Sequence, residues 1–570
     1  MIRKKLLYHR DAVLFILATF GVYFIFLFAR MLQFRPDGLW AGHVHVWGDW
    51  SLHIAMANIF AYKNPSEWFA YHPYYAGGKF TYAFLTNMIS GLLIRAGLTL
   101  PGAFLLPSIF YVLILLLGIY AVFYQVLGTK KASITALTLF FFSSGPGFLR
   151  LFTEWQKVKS LQFLIFPPID YTRLEKYQWL AGNAVNGMLV PQRSFLFGMA
   201  ITVWVMSGLL YALRHPEIRT KWRRLILVAC GIGAGILPIA HMHSFIVLVI
   251  ISACIGLTQL KNLKVLLWYA IPAGIVSSLF YFIFVAGGIE NPKFMQIMIG
   301  WTSDKTLRGW LWMWCEIWGT MIPVSLAGLL LLRKKSALLI SFFFGFFIVF
   351  ILANIIMFQP IAWDNSKLFL WTYFGLCGLA ALTLQWLWRK QILFKGVALI
   401  IAFTLTASGA VELSRLQHVD QNSYRMSDLE DIHLGEVIRH STPPLAVFLT
   451  QPSHNHPVMM WGVRSIVMGY PAWALNFGFL YEQRQQDIML MYSGGQNTEK
   501  LLKKYAVQFV AIGPGELYDM QANETYFRNT YPIFIETAKY RIYDVRKIYT
   551  IKSSDGTSSA HTMKKLQFQP

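Results

Sequence analysis

The sequence predicts a polytopic α-helical membrane protein with a C-terminal extracytoplasmic α/β domain. Three observations carry that reading. Apolar runs of about 20 residues, the length that crosses a bilayer, recur through residues 1–412. Basic residues gather in every second connection between the runs. Beyond residue 412 the texture changes to short strands alternating with amphipathic helices. With 56% hydrophobic and 14% charged residues in a chain of 570, a soluble globular mixture is excluded.

The apolar runs lie near 12–30, 103–127, 132–145, 194–213, 225–240, 243–258, 265–286, 309–332, 336–357, 367–387 and 396–412, which makes about eleven spans. The first is too long and too aromatic for a cleaved signal and lacks a small-residue cleavage site, so it reads as a retained helix. Arg3, Lys4, Lys5 and Arg10 keep the N-terminus cytoplasmic. Lys130 and Lys131, the run "RHPEIRTKWRR", Lys261 and Lys264, "RKK" at 333–335 and "RKQILFK" at 389–395 then occupy the inner turns. Parity holds only if the stretch 225–258 enters and returns, bending between Pro238 and His243. The formal charge of +23 is absorbed by these turns and by anionic lipid contacts. No basic groove or zinc-finger pattern accompanies it, so nucleic acid is not a partner. The four cysteines fall in apolar segments, form no CxxC and read as small buried hydrophobes.

The outer face receives the first loop (31–102), the loop near 146–193, "HMHS" at 241–244, the loop 287–308, "QPIAWDNSK" at 359–367 and residues 413–549. In the last of these, "LAVFLT", "RSIVMG", "VQFVAIG" and "PIFIETAKYRIYDV" read as strands. "EQRQQDIMLMYSGG" and "NTEKLLKKYA" read as helices, and residues 550–570 as a flexible tail. The histidines and unusual acids collect on this face, away from ATP and nucleotide sugars. No phosphate-cradling glycine motif appears in a plausible context.

In "WGDWSLHIAMANIFAY" Asp49 and His53 are spaced i, i+4 and share a helix face, while Trp47 and Trp50 suit a membrane interface. A carboxylate shielded there has a raised pKa and serves as a general base. A structural alternative is an acid offsetting a helix dipole. His43, His45, Asp49 and His53 offer donor atoms for a divalent ion such as zinc, manganese or magnesium, without a second tight acid or an HExxH. "YHPYYAGGKFTYAFL", with His72, continues the loop into a membrane-hugging amphipathic stretch.

In "AWDNSKLFLW" Asp364 and Lys367 stand at the mouth of a helix, as a cap or as groups that meet a phosphate and a sugar hydroxyl. Arg193 in "NGMLVPQRSFLFG" either snorkels or clamps a lipid-linked phosphate. His241 and His243 mark a bend that lines a cavity, with His243 a phosphate contact. "QPSHNHPVMMWGVRSIVMGYPAW" gathers His454, His456, Trp461, Tyr470 and Trp473, a surface on which a sugar could stack.

The long first outer loop headed by one acid, together with "GDWSLH", "HPYYAGGKFTY", "PQRSFLFG", "WDNSKLFLW" and "QPSHNHPV", resembles the GT-C superfamily of integral-membrane glycosyltransferases, in its bacterial family 39-like branch. The resemblance covers nearly the whole chain. It implies transfer of a sugar from a polyprenyl-phosphate donor to a glycan, lipid or protein acceptor at the outer face of the inner membrane, with inversion. It implies Asp49 as base and Arg193 and Lys367 as partners of the leaving phosphate. The acidic pair common in the superfamily is absent, which favours a metal-free displacement. The competing readings are a transporter or flippase of lipid-linked glycans, which would place polar residues at mid-membrane, and a non-catalytic envelope-assembly protein, which would tolerate loss of Asp49.

Overall fold

The computed structural model describes residues 2–81, 83–142, 145–332 and 336–549, and side chains from residue 8 onward within them. The side chains of Arg3, Lys4 and Lys5, the "RKK" run and the tail at 550–570 lie outside the described residues.

The chain opens with helix α1 (Tyr8–Phe28) and a hairpin of β1 (Leu32–Arg35) and β2 (Gly38–Ala41). Helices α2 (Val44–Tyr62) and α3 (Leu85–Arg95) form the first long loop. α4 (Leu100–Leu127), α5 (Lys130–Phe141) and α6 (Gly147–Val158) follow. Then come α7 (Arg193–Arg214), α8 (Thr220–Ala240), α9 (Met242–Thr258) and α10 (Leu260–Val285). The bundle is completed by α11 (Leu307–Trp318), α12 (Met321–Leu332), α13 (Ala337–Ile355), α14 (Ala362–Trp388) and α15 (Ile392–Leu416).

Every apolar run of the sequence is helical, but among the described residues eight helices are long and apolar enough to span a membrane, or nine if α11 and α12 count as one. The expected count of about eleven includes three runs that fall outside this length test. α5 has 12 residues, α9 has 17, and α11 and α12 meet at 91° around Gly319. α8 and α9 break at His241, whose extended backbone (φ −166°, ψ 105°) starts a new helix, so the expected return at this place is present. Pro238 does not end α8, because Ala240 still closes it.

α14 is the most enclosed span, with 83% of its apolar window buried, whereas α10 has 11% and faces outward. Its neighbours approach through small residues. A Cβ on Gly328 of α12 would stand 2.0 Å from the Leu379 carbonyl oxygen, and one on Gly375 would stand 2.7 Å from Phe346. In lipid, where apolar burial gives no drive for helix association, such close approach supplies the contact energy.

The C-terminal region adds β3 (Tyr424–Asp428), α16 (Leu429–Ser441), β4 (Val447–Leu449), β5 (Ser465–Ile466), α17 (Glu482–Ser493), α18 (Gln496–Lys504), β6 (Val507–Ile512), β7 (Ile533–Glu536) and β8 (Arg541–Asp544). The last five strands in this series, β4 to β8, form one sheet of order β5-β4-β6-β8-β7, parallel across β5-β4-β6 and antiparallel beyond. "PIFIETAKYRIYDV" is a hairpin rather than one strand. The remaining strand, β3, pairs with β2, with Leu39 opposite Ser427, so a three-stranded sheet joins the start of the chain to its C-terminal region.

α2 is not amphipathic. Trp50 to Ala61 are all buried, because α3, α4, α7 and the C-terminal region surround the helix. Gly91 lets α3 lie against it, since a Cβ there would meet the Ala57 carbonyl oxygen at 2.3 Å. Gly91→Leu is expected to destabilise the protein by about 1–3 kcal/mol through overpacking. A lowered thermal unfolding midpoint in detergent would show this, and an unchanged midpoint would contradict the tight α2–α3 contact.

Candidate functional site

His43 caps α2, its Nδ1 accepting the His45 backbone N–H at 3.3 Å. Two tryptophans then hold the helix on either side of Asp49. Trp47 donates to the Arg425 carbonyl at 3.1 Å, and Trp50 donates to the Pro191 carbonyl at 2.9 Å. Trp50 is fully buried, so it anchors protein to protein rather than protein to membrane interface. Asp49 is half-buried, and among the described residues its carboxylate accepts no hydrogen bond.

Asp49 lies within electrostatic range of the head of α14, more than three hundred residues away in sequence. Asp364 is 1% exposed and receives Lys367 Nζ on Oδ1 at 2.5 Å. A single turn (Ala362–Asn365) places them i, i+3. Asn365 fixes that turn by donating to the Ala353 and Ile356 carbonyls and accepting the Phe358 N–H. Desolvation pushes the Asp49 carboxyl up to about 7, with the Lys367 charge opposing and the Asp364 charge adding. The same Lys367 charge acts on His241 and His243 at the α8–α9 break. Among the described residues Asp364 Oδ2, Ser366 Oγ and His243 Nε2 are buried without a hydrogen-bond partner. Buried polar atoms left unmade are costly, so a cluster of them marks a place for a ligand or ordered water.

Asp49, Asp364, Lys367, His241 and His243 are thus brought together, and the other candidates are not. Arg193 is fully buried behind Trp50. It donates to Ser90 Oγ at 2.6 Å and Ser108 Oγ at 3.3 Å and stacks 4.1 Å from the Phe104 ring centre. His53 shares a helix face with Asp49 but turns to Asn87 at 2.9 Å, and burial with the Arg193 charge pushes its pKa down to about 3. His72 packs against Phe477 and Phe479, at 4.8 and 5.2 Å between ring centres, and joins the first loop to the C-terminal region. His454 stacks on Tyr470 at 3.7 Å beside Trp473 and Trp47, on a side of α2 away from Asp49. His456 is buried against Glu516 at 2.9 Å.

The expected metal-binding set disperses for the same reason. His43 and His45 face Asp170, Arg173 and Arg415, while Asp49 faces Lys367. Among the described residues no three His, Cys, Asp or Glu side chains gather as a metal site. The Asp49–Asp364 pair does not fit a divalent ion either. An ammonium already sits on Asp364, and the charge that a metal would neutralise is met by Lys367. Asn365 and the arginines near His43 went unnoticed in the sequence, because their partners lie in loops that no local spacing connects.

This architecture, a multi-helix bundle with a long first loop carrying an acid and a C-terminal α/β region, is the one that the GT-C resemblance implies. No family model and no curated sequence matches the chain. Solved structures do. The oligosaccharyltransferase of Archaeoglobus fulgidus, tethered to an acceptor peptide containing an NVT sequon, is similar with a TM-score of 0.52 at 12% identity, over 89% of this chain and 70% of that one. The same enzyme with Zn and sulfate gives 0.53 at 11% identity, over 92% and 72%. ArnT from Cupriavidus metallidurans bound to undecaprenyl phosphate gives 0.48 at 11%, over 93% and 97%.

The site generates a direct titration test. Difference infrared spectroscopy should show a carboxyl that deprotonates near pH 7 and is missing from Asp49→Asn. In Lys367→Met the transition should move to higher pH, because the cation favouring the ionised form is gone. A transition at the ordinary carboxylate range would contradict the desolvated geometry.

Proposed function

We propose that the protein transfers a sugar from a polyprenyl-phosphate donor to an acceptor hydroxyl at the outer face of the inner membrane. The N-terminus is then cytoplasmic and the C-terminal α/β domain extracytoplasmic. The observation that carries this reading is the meeting of Asp49, desolvated and free of hydrogen bonds, with the Lys367–Asp364 pair at one end of the bundle. The basic turns at Lys130 and Lys131, at 214–224 and at 389–395 follow the opposite ends of the same helices, as a cytoplasmic face requires. The fold shared with the Archaeoglobus fulgidus oligosaccharyltransferase supports the reaction class.

In this reaction the acceptor oxygen attacks the anomeric carbon as its proton passes to Asp49. The bond from the anomeric carbon to phosphate oxygen breaks, and polyprenyl phosphate leaves with the electron pair. One displacement inverts the centre. Lys367 has three N–H donors and spends one on Asp364, so it meets the charge growing on the leaving phosphate. Asp364 acts through Lys367 and is a positioning residue. His243 Nε2 is available to the same phosphate.

Purified protein given a radiolabelled polyprenyl-phosphate sugar and a membrane extract tests this. Asp49→Asn should lose on the order of 10²–10⁴ in kcat while keeping its unfolding temperature. Wild-type kcat/KM should rise about tenfold per pH unit below about 7 and level off above, since only ionised Asp49 accepts a proton. Transfer should persist in EDTA. Full activity in Asp49→Asn would remove the base assignment, and loss of activity in EDTA would bring a metal back into the site.

A further inference from the structure

A second cavity, of about 550 Å³, opens beside the amino end of α2 and takes no part in the chemistry above. It lies between His43 and Val44, the loop after α6 and the end of α15. Its lining carries Arg150, Arg173, Lys176 and Arg415 against Asp170 and Glu175. Two of these cations are spoken for. Arg415 is paired with Asp170 at 2.7 Å, and Lys176 with Glu316 at 2.8 Å. The other two are less committed. Among the described residues Arg150 forms no ion pair and rests over the Tyr171 ring, while Arg173 holds the exposed Glu175 only at 3.7 Å and has its Nε buried without a hydrogen-bond partner. One unpaired guanidinium and one loosely paired one in the same cavity can together receive a phosphate.

The neighbouring surface says what kind of phosphate. Ile169 lines the cavity and is exposed, and Leu149, Phe152 and Ile165 are exposed on α6 and the segment after it. α6 has an apolar face and a charged one and is too short to span, which suits a helix lying in the membrane interface. A ligand whose head reaches Arg150 and Arg173 would therefore lay an apolar tail toward this surface. The cavity is also adjacent to the transfer site. His45 interacts electrostatically with Arg173, Asp170 and Arg415, and Asp49 is one turn further along the same helix face, about 5–6 Å between Cβ atoms.

Resting on the transfer reading above, we infer that this cavity holds the phosphate head of an anionic lipid acceptor and presents its hydroxyl toward Asp49. Full-length protein in phosphatidylcholine nanodiscs is titrated calorimetrically with short-chain phosphatidylglycerol, short-chain phosphatidylcholine and inorganic phosphate. Phosphatidylglycerol should bind wild type and Asp49→Asn alike. The double variant R150A/R173A should bind at least tenfold more weakly, and the double lysine variant R150K/R173K should recover part of the loss. No binding of phosphatidylglycerol to wild type, or equal binding by R150A/R173A with an unchanged unfolding temperature, would overturn the site. Equal binding of phosphatidylcholine would overturn the phosphate recognition, and equally tight inorganic phosphate would overturn the lipid assignment. Failure of Asp49-dependent turnover with binding intact would sink the transfer reading and leave the cavity standing. Turnover with an unchanged acceptor KM in R150A/R173A would do the reverse.

Discussion

Lys367 and Asp364 are held away from water at the head of the most enclosed helix of the bundle, and neither charge would be tolerable there alone. Each makes the other's burial possible. The pair then sets the properties of what surrounds it. Asp49, on an element from the opposite end of the chain, has its carboxyl pushed up by desolvation, with the Lys367 charge opposing and the Asp364 charge adding. His241 and His243 face the same ammonium. Asn365, by tying the turn before α14 to the carbonyls of Ala353 and Ile356, fixes the geometry in which the pair forms. In the proposed reaction the ammonium is the positive charge that the leaving phosphate requires, built into the chain.

Much of the fold was legible because a bilayer leaves few options. Long apolar runs must be helices there, and each one is. What the runs did not tell was length: α5 and α9 are shorter than the eight long helices of the bundle, and Gly319 bends α11 from α12 in a run that reads as continuous. The strands and helices after residue 412 were readable from alternation and from the Gly494 stop, whose φ of 75° ends α17. α2 misled, since its polar residues at 43, 45, 49 and 53 suggest a wet face. In the structure His43 and His45 turn toward Asp170 and Arg173, His53 turns to Asn87, and the helix is buried from Trp50 to Ala61.

The site was legible by residue type and illegible by grouping. Asp49, Asp364, Lys367 and His243 stand out in sequence as polar groups at helix mouths, and they do converge. Arg193 and His72 stand out for the same reason and do not. Among the described residues Arg193 donates to Ser90 and Ser108 and keeps one Nη without a hydrogen-bond partner, and His72 packs in a phenylalanine cluster with its Nε2 unpartnered. Nothing within ten residues of either distinguishes the two outcomes, because the deciding partners come from other helices. Arg150 and Arg173 looked like ordinary loop charges, and only the fold shows that no carboxylate answers Arg150 among the described residues.

The three-stranded sheet of β1, β2 and β3 has a consequence for how the protein is made. β2 leads directly into α2, and its partner strand is residues 424–428, so the mooring of the Asp49 helix is nearly four hundred residues downstream of the helix itself. During synthesis the bundle can insert helix by helix while this mooring is still missing. Trp47 likewise waits for Arg425. The nascent chain therefore carries its acid on a helix that lacks this mooring until the C-terminal region has been made, and a truncated chain would leave it so.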